Sequence, residues 1–327
     1  MRIGLLGSGA RAAAIAGRLL EAGHQVSCAG PEVPAGFLEQ GGRVAAGLPA
    51  LAAGAEFIFL CLAEDTALAA TMAGLDPLLG ERHVLLCLGH HPAEAKMAAR
   101  AVAQRRGARL LDAELSGAAA TIRAGSATIL LAGAAEDAAA ATPLLGALGP
   151  HIVRVAGFGQ AGRMKLVTDY LVAVHAAAAA EALLIGERLG LSPEEIVRAA
   201  GRSKAASAVL AERGPAMAAR HYGVGDLERL AGLFDLLGGS GAAEGAPLLA
   251  ATAPLFRAAV SAGFGGSDIA AVREALAPPL PTPPAPGRSA KGKAQEAARH
   301  EREAAALRRN LGRRRAQARA RAAPPES

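Results

Sequence analysis

The chain has 327 residues, 52% hydrophobic and 20% charged, which supplies enough apolar material for the cores of two domains and excludes a chain that is disordered throughout. Aromatics make up 3% and tryptophan is absent, so the cores must close by near approach of Ala- and Gly-rich backbone rather than around large rings. The net charge of +6 sits in the tail: residues 278–327 hold 12 Lys+Arg against 4 Asp+Glu, leaving 23 basic and 25 acidic residues in a near-neutral body whose chemistry the overall charge does not report.

The first half alternates short apolar runs with helical patterns. Strands are expected over residues 2–6, 25–29, 57–62, 83–88, 109–114, 127–132 and 152–155, and helices over 10–22, 66–73, 93–106 and 136–148. Such alternation predicts an α/β domain of Rossmann type, a doubly wound and mainly parallel sheet over residues 1–157. Beyond Gly159 the strand signals end. Helices are expected over 163–189, 193–200, 205–212, 226–237, 246–262 and 267–276, an all-helical second domain spanning 158–277. Ser192, Pro193 and Glu195 form a good helix start. A proline-rich linker at 277–286 and a basic, low-hydrophobicity tail close the chain, and 278–327 is expected to be disordered. That tail also suits a weak electrostatic tether to a polyanion, although it lacks interleaved aromatics for base stacking.

Cys28, Cys61 and Cys87 fall in apolar runs without metal or redox spacing and read as inert core thiols of a reducing compartment. Arg11 and Arg18 interrupt the first apolar stretch, so the start of the chain reads as a poor signal peptide and the expected location is cytoplasmic. The long apolar helix near 165–190 contains Asp169, His175, Glu181 and Glu187, too much charge for an expected membrane span.

The most informative motif is Gly7-Ser8-Gly9-Ala10-Arg11-Ala12, which follows a strand and opens a helix. Gly7 permits the tight turn, Gly9 lets the backbone approach a pyrophosphate, and the small Ala12 lets the helix pack on the strand, with the helix N-terminus facing the phosphates. After the second strand, Glu32 is the nearby acid that could hold a ribose hydroxyl, and no arginine marks a 2′-phosphate site, so NAD and NADP both remain open. Leu62, at the end of a later strand, and His90 in the loop Gly89-His90-His91-Pro92 are further candidates for lining the cofactor site. The adjacent histidines also fit a plain loop; they point apart and no third ligand completes a set, so no metal site is expected.

A second motif, Gly157-Phe158-Gly159-Gln160-Ala161-Gly162-Arg163-Met164-Lys165, makes a flexible crossing into a helix that carries Lys165 and Asp169 at i and i+4. A pair at this spacing is most often a surface ion pair. Here, however, the order of motifs resembles the β-hydroxyacid dehydrogenases, a family that includes 3-hydroxyisobutyrate dehydrogenases, tartronate semialdehyde reductases and, more distantly, 6-phosphogluconate dehydrogenases. The resemblance covers about residues 1–277 and rests on the nucleotide motif, Gly23-His24-Gln25-Val26, Asp112-Ala113-Glu114-Leu115-Ser116-Gly117, the crossing with its lysine, and Gly265-Gly266-Ser267-Asp268.

The resemblance implies that Ser116 and the Gly117 amide hold the carboxylate of a small hydroxy or carbonyl acid, that Lys165 exchanges a proton with its oxygen, and that hydride passes to or from NAD or NADP. It also implies a homo-oligomer built on long inter-domain helices, for which the Ala176–Ala180 stretch allows close contact, as would burial within one chain. The sequence departs from the family at Ala118, at Gly89-His90 in place of a Ser-Thr pair, at Asp169 in place of Asn, and at Gly225-Asp226 in place of Lys-Asp. Alternative readings are an imine reductase-like enzyme on the same architecture and a non-catalytic dinucleotide-binding protein. Asp169 further suggests a lysine held as the ammonium, and hence an enzyme favouring reduction.

Overall fold

The computed structural model describes residues 1–276 except Pro31 and Ser240; the expected linker and basic tail lie outside the described residues. The nucleotide-binding half contains β1 (Arg2–Leu6), α1 (Gly9–Glu21), β2 (Gln25–Cys28), β3 (Arg43–Val44), α2 (Leu48–Gly54), β4 (Phe57–Leu60), α3 (Asp65–Leu75), β5 (Val84–Cys87), α4 (Ala93–Arg105), β6 (Arg109–Ser116), α5 (Ala119–Arg123), β7 (Thr128–Ala132), α6 (Ala135–Gly146) and β8 (His151–Val155). The strands form one sheet in the order β3-β2-β1-β4-β5-β6-β7-β8. The order reverses between β2-β1 and β4, which creates the crevice at the carboxyl ends of the strands where such sheets bind ligands.

Alternation along the central strands builds a core on each face. Phe57, Phe59, Val84 and Leu86 pack under α1 and α6, whereas Ile58, Leu60, Leu85 and Cys87 pack under α2, α3 and α4. One pairing departs from the parallel expectation: β7 runs antiparallel to β6. Residues 117–127 between them are too few for the crossover of roughly a dozen residues or more that a parallel return requires. The sequence pattern did not reveal β3, α2 or α5, because a two-residue edge strand and helices of five to seven residues carry too little periodicity.

The second half is helical, as expected: α7 (Gln160–Arg188), α8 (Pro193–Gly201), α9 (Ala208–Ala219), α10 (Leu227–Gly239) and α11 (Pro247–Ala259), followed by a 3-10 segment, Ile269–Ala275. Ser192 and Glu195 form the reciprocal cap that opens α8. α9 continues past the expected end through Pro215, since Leu210, Gly214 and Met217 bury against neighbouring helices and Gly214 leaves room for Val197. Ala173, Ala176, Ala180 and Leu183 line the core with Phe234 and Phe256, whose ring centroids lie 5.4 Å apart. The alanine stretch therefore serves packing inside this chain.

α7 and the segment Pro247–Phe264 both have the length and hydropathy of a span, because the charges of α7 are spread toward its ends. In the fold, the apolar face of α7 is the central wall of the helical core.

Replacing Phe256, which is fully buried, with alanine is expected to cost about 3–5 kcal/mol in urea unfolding. A loss below 1 kcal/mol would show that this ring does not anchor the helical core.

Candidate active site

At the end of β1 the glycine turn has the geometry of a phosphate cradle. Gly7 has φ of 136°, and a Cβ there would collide with the Cys61 carbonyl; Gly9 has φ of 80° and open space where its Cβ would be. Ser8 caps α1 without spending its side chain on the helix, Ala10 is exposed, and Ala12 is buried beneath the helix. Beside the turn lies a cavity of about 590 Å³ bordered by Gly7, Ser8, Gly30, Glu32 and Leu62. A turn closed to a side chain at Gly7 and open above Gly9, a bare helix N-terminus and an adjoining cavity fit a dinucleotide. When bound, a nicotinamide dinucleotide supplies or accepts hydride.

A second cavity of about 720 Å³ lies between the β5–α4 loop and the first turns of α7, bordered by Asp65, His90, His91, Lys96, Gly162 and Leu166. The histidines do turn to different partners: His91 Nδ1 lies 2.7 Å from Asp65, and His90 Nδ1 lies 3.6 Å from Glu114. Among the described residues no cluster suited to a metal ion is found.

Behind His90 is a buried charge cluster that the sequence reading missed. Lys96 Nζ donates to Asp112 at 2.7 Å and to Glu114 at 2.5 Å, and all three side chains are buried. Burial by itself would lower the Lys96 pKa, but the two carboxylates outweigh it and raise the pKa. Burial likewise works to raise that of Glu114, and His90 with Lys96 brings it below the ordinary value. A signal was present: Asp112 and Glu114 stand two apart in an apolar strand and so share one face. Their cation, sixteen residues upstream on α4, has no local signature.

The same strand receives α7. Gly159, with φ of 84°, ends the crossing, and the amide of Gly162 donates to Asp112 Oδ2 at 3.3 Å. One turn on, Lys165 and Asp169 are each 5% exposed and form an internal ion pair, not a surface one. Arg229 of α10 reaches Asp169 Oδ2 at 3.0 Å and Asp226 at 2.5 Å. Burial lowers the Lys165 pKa, and Asp169 only partly restores it, helped by Glu114 and opposed by Arg229. The carboxylate therefore acts in the expected sense, but desolvation wins. Asp169 itself is held low because Lys165 and Arg229 outweigh its burial.

Ser116 closes β6 half-buried, and Gly117, at φ of 135°, turns the chain tightly onto Thr121 of α5. α7 packs along this strand, with Gly162 bonded to Asp112 and Lys165 near enough to Glu114 to feel its charge. The late segment Gly265-Gly266-Ser267-Asp268 does something else: its backbone pairs with residues 223–228. The close approach explains Gly225, since a Cβ there would strike the Asp268 backbone, and it fixes the start of α10 from which Arg229 extends. Burial pushes the thiols of Cys61 and Cys87 up to about 12, in keeping with inert core cysteines.

Family models match nearly the whole described chain: the NAD binding domain of 6-phosphogluconate dehydrogenase over residues 2–157, and the NAD-binding domain of NADP-dependent 3-hydroxyisobutyrate dehydrogenase over 159–276. The chain belongs to the β-hydroxyacid dehydrogenase family. It is an NAD(P)-dependent oxidoreductase acting on CH–OH groups. It is 32% identical to the 3-hydroxyisobutyrate dehydrogenase of Pseudomonas aeruginosa over 197 residues, 58% of this chain and 66% of that protein. Identity to the L-threonate dehydrogenase of Cupriavidus necator is 28% over 285 residues, 83% and 94% of the two chains. Among solved structures, the fold matches a Mycobacterium tuberculosis 3-hydroxyisobutyrate dehydrogenase with a TM-score of 0.75 at 22% identity, covering 85% of this chain and 99% of that one. A Myxococcus stipitatus imine reductase shares it at 0.56 and 16% identity, covering 84% and 99%.

Lys96→Met would leave Asp112 and Glu114 buried without their cation, at an expected cost of about 3–5 kcal/mol near neutral pH. In the parent the depressed Glu114 pKa contributes stability above the unfolded carboxylate pKa, which is lost as pH falls through the folded value. In the variant the sign reverses, since an unpaired buried carboxylate takes a proton early and the deficit shrinks toward pH 5. Urea unfolding at both pH values checks this; an equal deficit at each would reject it.

Proposed function

We propose that this enzyme interconverts a small 3-hydroxy acid and its carbonyl acid, with Lys165 as the proton donor and acceptor. The observation that carries the reading is the buried Lys165–Asp169 pair near the start of α7, held from the solvent side by Arg229, on a helix that packs along β6, the strand that ends in Ser116. The Ser116 hydroxyl and Gly117 amide hold the substrate carboxylate, as a glycine turn with free donors suits an anion. In reduction the Lys165 ammonium gives its proton to the oxygen that becomes the hydroxyl; in oxidation the neutral amine removes that proton. Asp169 positions the amine, and Arg229 fixes Asp169. A buried ammonium suits a developing alkoxide, which favours carbonyl over imine chemistry and an active over a merely cofactor-binding protein.

In the cofactor cavity we assign Gly7, Ser8, Gly9, Ala10 and Ala12 to the pyrophosphate turn and Leu62 to the nucleoside wall, with His90 toward the nicotinamide side. Glu32 borders that cavity, and no lysine or arginine does among its described lining residues, which supports NAD over NADP. Residues 1–157 then form the cofactor domain, 158–277 the substrate domain, and 278–327 an appendage dispensable for catalysis.

A homo-oligomer through α7 is supported by its exposed apolar stripe of Met164, Val167, Leu171 and Ile185, three of them about half exposed. Three free cysteines support a cytoplasmic location.

Lys165→Met is expected to lower kcat by about 10²–10⁴-fold while leaving cofactor affinity intact. Because burial already lowers the lysine pKa, reduction should fall, and oxidation rise, through a pH below that of a free lysine. Asp169→Asn removes the charge that partly restores it and moves both profiles to still lower pH. Superimposable profiles for the parent and Asp169→Asn in both directions would reject the assignment. Glu32→Ala should raise the KM for NAD about tenfold or more with little change for NADP; an unchanged NAD to NADP ratio would remove Glu32 from the cofactor site.

A further inference from the structure

Arg11 sits in the nucleotide motif, yet its guanidinium reaches β6. Nη2 donates to the Leu115 carbonyl at 3.4 Å, next to Ser116 on β6. Between β1, which feeds the glycine turn, and β6 lie two further strands, so at about 4.8 Å per strand the two strand ends stand roughly 14 Å apart. α1 packs directly on α5, the helix that follows the Ser116–Gly117 turn, which is how a residue in the first turn of α1 comes to lie there.

The head group is left electrostatically incomplete. Among the described residues no carboxylate lies within ion-pair distance of Arg11. The nearby acids are committed elsewhere: Glu114 to Lys96 at 2.5 Å, and Asp169 to Lys165 and to Arg229 at 3.0 Å. Burial, with the charge of Arg229, lowers the Arg11 pKa, and Glu114 and Asp169 do not fully offset this. A guanidinium has five donors in a planar fork matched to a carboxylate, and the one acceptor it meets among the described residues takes a single donor at 3.4 Å.

We infer that Arg11 is a binding residue for the substrate's carboxylate, acting with the Ser116–Gly117 turn, and not a ligand of the cofactor phosphates. The inference rests on the proposed hydroxy-acid reaction and adds its charge selectivity: a fork-shaped cation beside a glycine turn selects a planar anion and rejects the corresponding alcohol.

The test uses the full chain with NAD, comparing 3-hydroxypropanoate and 3-hydroxy-2-methylpropanoate with propane-1,3-diol in the parent, Arg11→Met and Arg11→Lys. Binding of the two acids to the NADH complex is measured in parallel by calorimetry. The acid-to-diol ratio of kcat/KM is expected to fall about 100-fold in Arg11→Met and less in Arg11→Lys, which keeps the charge but loses the fork. The Kd for NADH should change less than threefold. A weakened NADH complex with an unchanged acid-to-diol ratio would make Arg11 a phosphate ligand and overturn the inference, as would equal losses on acid and diol. If the parent binds the acids without oxidising them and Arg11→Met abolishes that binding, the inference stands and the dehydrogenase reading falls. A parent that neither binds nor oxidises either acid overturns both.

Discussion

Charge buried at the junction of sheet and helices is the constraint from which the rest of the site follows. An ammonium and a carboxylate taken out of water lose several kcal/mol of solvation each, and their mutual attraction offsets this only if the remaining lone pairs and protons are also satisfied. For Lys165 and Asp169 the missing partner comes from α10, where Arg229 bonds the second oxygen of Asp169. That requirement ties the start of α7 to α10, and α10 in turn to the glycine segment that braces residues 223–228. It also leaves the lysine easier to deprotonate than in water, the condition under which an amine can work in both directions of a proton transfer.

β6 is the second organising element. Its buried face carries Asp112 and Glu114 and its end carries Ser116, so one strand supports both the docking of α7 and the proposed substrate turn. Both acids are paired by Lys96, and the charge of Glu114 still reaches Lys165 and Arg11. The short return through α5 forces the antiparallel β7 and brings α5 against α1, placing Arg11 at the strand end that its position in the nucleotide motif did not suggest. The departures from the family pattern are thus connected: where a glycine stands at 225 the backbone of Asp268 presses close, and where an aspartate stands at 169 an arginine answers it.

Local chemistry was enough to specify much of this molecule. A glycine turn between a strand and a helix, a run of four apolar residues that reads as a buried strand, and a Ser-Pro-Glu-Glu helix start each act within a few residues, so the nucleotide turn, the central strands and the helical second domain were legible from the chain. The partners were not. Lys96 meets Glu114 across 18 positions and Arg229 meets Asp169 across 60, and no periodicity encodes such distances. Nor could the i, i+4 spacing of Lys165 and Asp169 decide between a solvated surface pair and an internal one, because the sign of the lysine's shift depends on the water excluded by packing. Residue order determined which charges exist and how each element forms; tertiary structure alone determined which of them face one another without solvent between, because desolvation belongs to the packed whole and to no segment of it.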